Sequence, residues 1–295
     1  MYVITGATGN TGKPITLSLL NAGKKVRIIS RNAAKAKEFT DKGAELFIGD
    51  QGNPDVLKKA FEGATAVYAM IAIDFASKDM TTEQVKQAIA IAEALKSTGV
   101  KYVVSLSSQG AHLEKDSGVV LGLNRMEKLF DQVNGLNTLH LRAGYFMENT
   151  LGMIGLVKQA GILGSPVKQN TKIPAIATRD IADYAAKRLL ALDFKGLNTQ
   201  DLLGSRDVTY GEIAKVYGKA IGKPDLNYVE FSFEDFKKAL MGQMGASENI
   251  ADNFNTFIKA LNEGRITSSA VRNSESTTPT SIEDFAATFA YVYNL

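Results

Sequence analysis

Gly6-Ala7-Thr8-Gly9-Asn10-Thr11-Gly12 is the stretch that decides how this chain folds. It follows a short apolar run at Tyr2–Thr5 and leads into a helical pattern that begins near Thr11. Glycine recurs at its first, fourth and seventh positions. Gly6 permits a tight turn off the strand, Gly9 lets the backbone approach a pyrophosphate, and Gly12 lets the helix pack close to the sheet. The unpaired amides of the first helical turn would then face the phosphates, aided by the helix dipole. A glycine-rich turn without a ligand has the same spacing, so the context carries the inference.

That context is a run of βαβ units. Strands are expected at Lys25–Ser30, Glu45–Ile48, Ala66–Met70, Lys101–Leu106 and Asn137–Leu141, with helices starting near Ala33, Pro54, Lys78 and Val119. Asn53 caps the third helix, with Pro54 in its first position. The fourth, over 78–97, places Val85, Ala88, Ile89, Ala92 and Leu95 on one face and stops at Gly99. After Leu141 the rhythm changes. Asp201–Gly204 reads as a strand, Thr209 and Glu212 form a capping box for a helix to about Ile221, and Ser232/Asp235 and Ser281/Asp284 open two more. The fold class is α/β: a Rossmann-type, doubly wound parallel sheet with a smaller C-terminal α/β cap. The expected division is 1–150 for the dinucleotide and 151–295 for the substrate, interleaved in space.

Composition narrows the function classes. The 295 residues hold 34 basic and 31 acidic side chains, and that near-balance leaves no basic stripe for a nucleic acid or an anionic membrane. Cysteine is absent, which removes disulfides and thiol nucleophiles. Two histidines, His112 and His140, are too few for a histidine-rich metal site, so no metal is expected. No apolar run is long enough to span a bilayer, and no leader pattern precedes Tyr2. A cytoplasmic, soluble protein is expected, and a homodimer stays open.

The second strand, Val26-Arg27-Ile28-Ile29-Ser30, bears on which dinucleotide is held. Sites for NAD usually end this strand with a carboxylate that takes the ribose 2′-hydroxyl. Here Ser30 stands there and Arg31 follows, a cation suited to a 2′-phosphate, with Lys35 or Lys37 in reserve. NADPH is the expected cofactor, unless Arg31 is merely solvated at a strand end. Asp50 and Gln51 end the third strand, where they either reach the adenine edge or serve the turn before Asn53.

With these residues in place the chain resembles the NmrA-like family of atypical short-chain dehydrogenase/reductase proteins. The resemblance is carried by Gly6–Gly12, Ser30-Arg31-Asn32, Gly49-Asp50 with Asn53-Pro54, Phe61-Glu62-Gly63-Ala64 and Leu141-Arg142-Ala143-Gly144-Tyr145-Phe146-Met147-Glu148-Asn149. Ile173-Pro174, Thr178-Arg179-Asp180-Ile181-Ala182 and Thr278-Pro279-Thr280 extend it over nearly the whole chain. It implies that the dinucleotide touches Gly6, Thr8, Gly9, Asn10, Thr11 and Gly12, then Arg31, Asp50 and Gln51. Met70-Ile71-Ala72 and Ser105-Leu106-Ser107 would flank the nicotinamide ribose, and Gly144, Tyr145 and Phe146 would line the nicotinamide end. Many relatives carry a lysine shortly before the glutamate of the fifth helix. Leu123 and Asn124 stand there, before Glu127, which puts a lysine-assisted ribose contact in doubt.

None of the ten tyrosines has a lysine four residues later, so the usual Tyr-x-x-x-Lys machinery is missing. Hydride transfer to a conjugated acceptor needs orientation and dryness more than a protein acid. Phe75, His112, Tyr145, Phe146 and Asn149 are candidates for the substrate wall, although Tyr145 and Phe146 suit interdomain packing equally, and His112 suits a surface loop. No catalytic residue can be assigned. The expected function is an NADPH-dependent oxidoreductase, reducing a small conjugated acceptor such as a quinone. The alternative is a non-enzymatic NADP(H)-binding redox sensor.

Overall fold

The computed structural model describes residues 1–266 and 271–295. Along the first half it alternates β1 (Tyr2–Ile4), α1 (Gly12–Asn21), β2 (Val26–Ser30), α2 (Ala33–Thr40), β3 (Glu45–Ile48), α3 (Pro54–Phe61), β4 (Ala66–Ala69), α4 (Met80–Thr98), β5 (Tyr102–Ser108), α5 (Leu121–Asp131) and β6 (Asn137–Ala143). Asn53 caps α3 as expected, and Gly99 ends α4 at φ 68°, a left-handed backbone that suits glycine.

The remaining elements are β7 (Tyr145–Phe146), α6 (Ile154–Ala160), β8 (Ile162–Ser165), β9 (Ile173–Ile176), α7 (Thr178–Ala191), β10 (Leu197–Leu202), β11 (Asp207–Val208), α8 (Tyr210–Ala220), β12 (Asn227–Glu230), α9 (Phe233–Met244), α10 (Glu248–Asn262) and α11 (Ile282–Tyr293). The capping boxes read at Thr209/Glu212 and Ser281/Asp284 both form.

Seven parallel strands make one sheet in the order β10-β6-β5-β4-β1-β2-β3. Alternate residues serve opposite faces. Ile4, Ile28 and Tyr68 pack against Ile15 and Leu19 of α1, Phe39 of α2 and Ile181, Ala185 and Leu189 of α7. Val3, Val67 and Val103 pack against Leu57 and Phe61 of α3, Ile91 and Leu95 of α4 and Met126 and Phe130 of α5. The chain therefore returns to the first core after leaving it, since α7 and β10 belong to this sheet and its cover. Strand order reverses between β1 and β4, the point at which an open sheet of this kind places its ligand crevice, beyond the carboxyl ends of the strands.

A second core gathers Leu163, Ile173, Val208, Tyr210, Ile213, Tyr217, Ile258, Phe285 and Phe289. It sits under two small sheets, β11-β9-β7 and β12-β8. Two expectations need correction. Ala88, Ala92 and Leu95 of the expected α4 face are buried, but Ile89 is exposed and Val85 half-buried; the buried surface extends instead to Gln84, Ala90, Ile91 and Ala94, because both α3 and α5 pack on this helix. The strand expected at Asp201–Gly204 lies earlier, at β10, where pairing with β6 fixes its register.

Candidate functional site

The phosphate loop links β1 to α1. Gly6 turns it at φ 61° and its carbonyl accepts from the Gly9 amide at 2.9 Å. A Cβ on Gly12 would overlap the Gly6 carbonyl, so only glycine lets the helix start this close to the strand. Thr11 is the N-cap of α1 and makes no side-chain cap; its hydroxyl instead accepts from the buried Tyr68 phenol at 2.9 Å. Most other long helices here are capped by a side chain, as by Asn32, Asp79, Ser232 and Ser247. Among the described residues no acceptor serves the amides of Asn10, Thr11 and Gly12. No acidic residue stands in the first turn of α1, and Thr8, Gly9 and Asn10 are exposed. An uncapped, anion-free helix start opening on solvent is a fit for a diphosphate.

Gln51 stabilises that loop. Its Oε1 accepts from the Gly6 amide at 3.0 Å, and its Nε2 donates to the Met70 carbonyl at 3.2 Å. Beside it Gln87 pairs with both backbone groups of Ala72, at 3.0 and 3.1 Å. The two glutamines tie the ends of β1, β3 and β4 together. The side chain of Gln51, expected near an adenine edge, thus also braces the phosphate loop. Asp50 accepts from the Gly52 amide at 2.7 Å and sits 3.5 Å from the Arg31 guanidinium, with both side chains more than half exposed. Of the reserve cations, Lys37 is paired with Asp41 at 2.7 Å.

At the end of β4 Met70 packs beneath Gly6, where a Cβ would meet its sulfur. Ile71 is buried against α3 and α4, and Ala72 is exposed. The serines of β5 are not free either. Ser105 is fully buried and hydrogen-bonds His140 Nδ1 at 2.6 Å, while His140 Nε2 meets Asp131 at 3.0 Å. Burial pushes the Asp131 carboxyl up, but His140, the Thr138 hydroxyl and Arg142 together outweigh it and hold it below the usual range. Ser107 donates to Glu127 at 2.6 Å, and Glu127 holds Arg142 through both oxygens at 3.0 and 2.6 Å. The hydroxyls of Ser105 and Ser107, on the strand expected to flank a ribose, thus both have protein partners. Asn124, standing near the expected lysine, donates to the Ala111 carbonyl at 2.7 Å and fixes the loop after β5.

Gly144 passes so close to the Pro174 carbonyl that a Cβ would not fit. Beyond it the chain splits its side chains: Phe146 packs on the first core and Tyr145 on the second. Tyr145 accepts from the Tyr210 hydroxyl at 2.9 Å, and the Asn149 side chain stands near its oxygen. Phe75 stacks on Phe254 of α10 at 6.0 Å, and Ser247, the α10 cap, donates its amide to the Phe75 carbonyl. Helix α10 thereby spans from the β4–α4 loop to the 3-10 turn at Gly118–Val120. Phe75 is held in a small core with Met80, Leu240 and Ile250. His112 is exposed and has no hydrogen-bond partner among the described residues. Two open grooves border α7, one near Ser18 and Leu190 and the other near Arg179 and Pro279; neither touches the phosphate loop.

A model of the NmrA-like family matches residues 2–286. The chain belongs to the NmrA-like family. Among curated relatives, the NAD(P)H azoreductase of Xenophilus azovorans is 29% identical over 259 residues, covering 86% of this chain and 85% of that one. The photosystem II assembly factor Ycf39 of Trieres chinensis is 26% identical over 273 residues, covering 88% and 81%. Among solved structures, the NADPH-dependent quinone oxidoreductase QOR2 of Escherichia coli, complexed with NADPH, superposes with a TM-score of 0.81 at 23% identity, over 98% of this chain and 99% of that one. The triphenylmethane reductase of Citrobacter sp., complexed with NADP(H), also gives 0.81 at 21% identity, over 98% and 100%. Such likeness shows a shared fold for this NmrA-like chain. Among its described residues no helix is long and apolar enough to cross a membrane.

Two contributors to the site escaped sequence reasoning. Gln87 sits mid-helix with nothing to mark it, and Tyr210 read only as the first residue after a capping threonine.

Proposed function

We propose that this chain is an NADPH-dependent oxidoreductase that reduces a small conjugated acceptor, such as a quinone, by direct hydride transfer. The observation that carries this is the start of α1: three amides without acceptors, no acidic neighbour, and Arg31 one strand away. The amides of Asn10, Thr11 and Gly12 would hold the diphosphate, and Arg31 would leave Asp50 for the 2′-phosphate. Residues 1–150, closed by α7 and β10, would form the nucleotide unit, and the rest of 151–295 would cover the acceptor. NADPH supplies the hydride when bound; this chain orients it and excludes water. The azoreductase relative and the quinone and dye reductases of like fold support the class of acceptor. The test is oxidation of NADPH against a panel of quinones and dyes. Binding without turnover of any acceptor would count against a reductase.

A second reading has its own observations. No tyrosine stands four residues before a lysine, and assembly factors are among the curated relatives. A redox sensor would bind NADP⁺ and NADPH with different affinities and turn over nothing. Calorimetry with the oxidised and reduced forms separates the two readings.

A further inference from the structure

A hydride brings both electrons and one of the two hydrogens that a quinone's reduction needs. The acceptor's carbonyl oxygen must also gain a proton, and the three serines of β5 are already engaged, Ser105 with His140, Ser107 with Glu127 and Ser108 with the Gln109 carbonyl. Tyr145 is placed differently. Its oxygen accepts from the Tyr210 hydroxyl at 2.9 Å, with the Asn149 side chain nearby. That bond enters at the oxygen, and among the described residues no acceptor takes the phenolic proton of Tyr145.

The donor behind it is fixed. Tyr210 is 1% exposed and its ring stacks on Tyr228 at 4.8 Å and 17°. Tyr228 is anchored in turn to the carbonyls of Ser165 and Val167, at 2.8 and 2.6 Å. Of the tyrosines grouped here, Tyr210, Tyr217 and Tyr228 are buried, and Tyr145 alone keeps a partly exposed face. It stands just beyond Gly144 at the carboxyl end of β6, where an open α/β sheet places its ligand crevice. The titratable groups facing it are Tyr210 from α8, Tyr228 from β12 and Tyr217. The nearby Glu148 carboxylate is held by the amide and hydroxyl of Thr178. Burial keeps the Tyr145 phenol above its ordinary range, so it is protonated at neutral pH, as a proton donor must be.

We propose that Tyr145 donates the proton to the acceptor's carbonyl oxygen, with Tyr210 and Asn149 as positioning residues. The proposal rests on the reductase reading above. The hydride from NADPH brings an electron pair onto the acceptor, whose carbonyl oxygen becomes an oxyanion. The O–H bond of Tyr145 breaks, an O–H bond forms on that oxygen, and the phenolate left behind meets hydrogen bonds already in place. Water in the crevice returns a proton to Tyr145 and closes the cycle.

A pair of acceptors tests this. A quinone needs hydride and proton, whereas a cationic triphenylmethane dye takes hydride at carbon and needs no proton. Tyr145→Phe is expected to slow quinone reduction roughly a hundredfold. Dye reduction should fall far less, so that the quinone-to-dye rate ratio drops at least about tenfold, with an unchanged melting temperature showing intact folding. In cofactor-free protein, Cζ-labelled tyrosine followed by NMR should show Tyr145 titrating at higher pH in Tyr210→Phe, because a donor to its oxygen is gone. Equal losses with both acceptors, undiminished quinone turnover, or a Tyr145 titration indifferent to Tyr210→Phe would each overturn the assignment. A wild-type chain that binds NADPH and reduces neither acceptor overturns the reductase reading, and the assignment with it.

Discussion

Arg31→Ala should separate the two nicotinamide dinucleotides. A guanidinium on a 2′-phosphate forms a charge-assisted hydrogen bond, worth about 1.5–3 kcal/mol. Arg31 must first leave Asp50, but that pair is long at 3.5 Å, and the side chains are 81% and 55% exposed. Its net worth is therefore about 0.5 kcal/mol. The difference, about 1–2.5 kcal/mol, corresponds to a loss of about 5- to 70-fold in NADPH affinity. NADH, which offers a hydroxyl at that position, should lose less than about twofold. Asp50→Asn works in the opposite direction: it frees the guanidinium and should tighten NADPH by up to about threefold, with NADH unchanged or weakened. Titration calorimetry of each variant with each nucleotide measures all four effects. Equal losses of NADPH and NADH in Arg31→Ala would refute the assignment of Arg31 to the 2′-phosphate.

Other variants probe the supports of the site. Gln51→Ala removes the acceptor of the Gly6 amide and the donor to Met70. It should weaken NADPH and NADH alike by about tenfold and lower the melting temperature, since the loop itself loosens. Glu127→Ala leaves the half-buried Arg142 without the carboxylate that raises its pKa, and it should cost about 3–5 kcal/mol of stability in urea unfolding. The Asp131 carboxyl is held below its ordinary range when folded. Its contribution is therefore complete above the unfolded carboxyl pKa of about 3.9 and is lost as pH falls through the lower folded value. Asp131→Asn should accordingly flatten the acid side of the urea-midpoint profile, and an acid limb identical to the wild type would contradict the His140–Asp131 arrangement.

The nucleotide half of the fold was legible because its signals are local. A β-branched run, a glycine turn and a capped helix follow one another within each βαβ unit, as at Tyr2–Gly12 and again around Asn53-Pro54. The return of α7 and β10 to the first core was not legible, because it depends on α1 and β6, far away in the sequence. Site residues divide in the same way. Backbone roles for Gly6, Gly9 and Gly12 follow from the absence of a side chain. The fates of Gln51, Ser105 and Ser107 are set by His140, Glu127 and the Gly6 amide, partners that only tertiary structure brings near. Tyr145 could be placed at the end of the sixth strand from sequence, but its bond to Tyr210 spans 65 residues and joins β7 to the start of α8.

If the open amides at the start of α1 hold the diphosphate of a nicotinamide dinucleotide, the chain must take one up in solution. Titration calorimetry of the wild-type chain with NADPH tests it most directly. Saturable uptake of one nucleotide per chain is predicted, weakened by added salt as phosphate contacts should be. No measurable uptake of NADPH or NADH at millimolar concentration would contradict it.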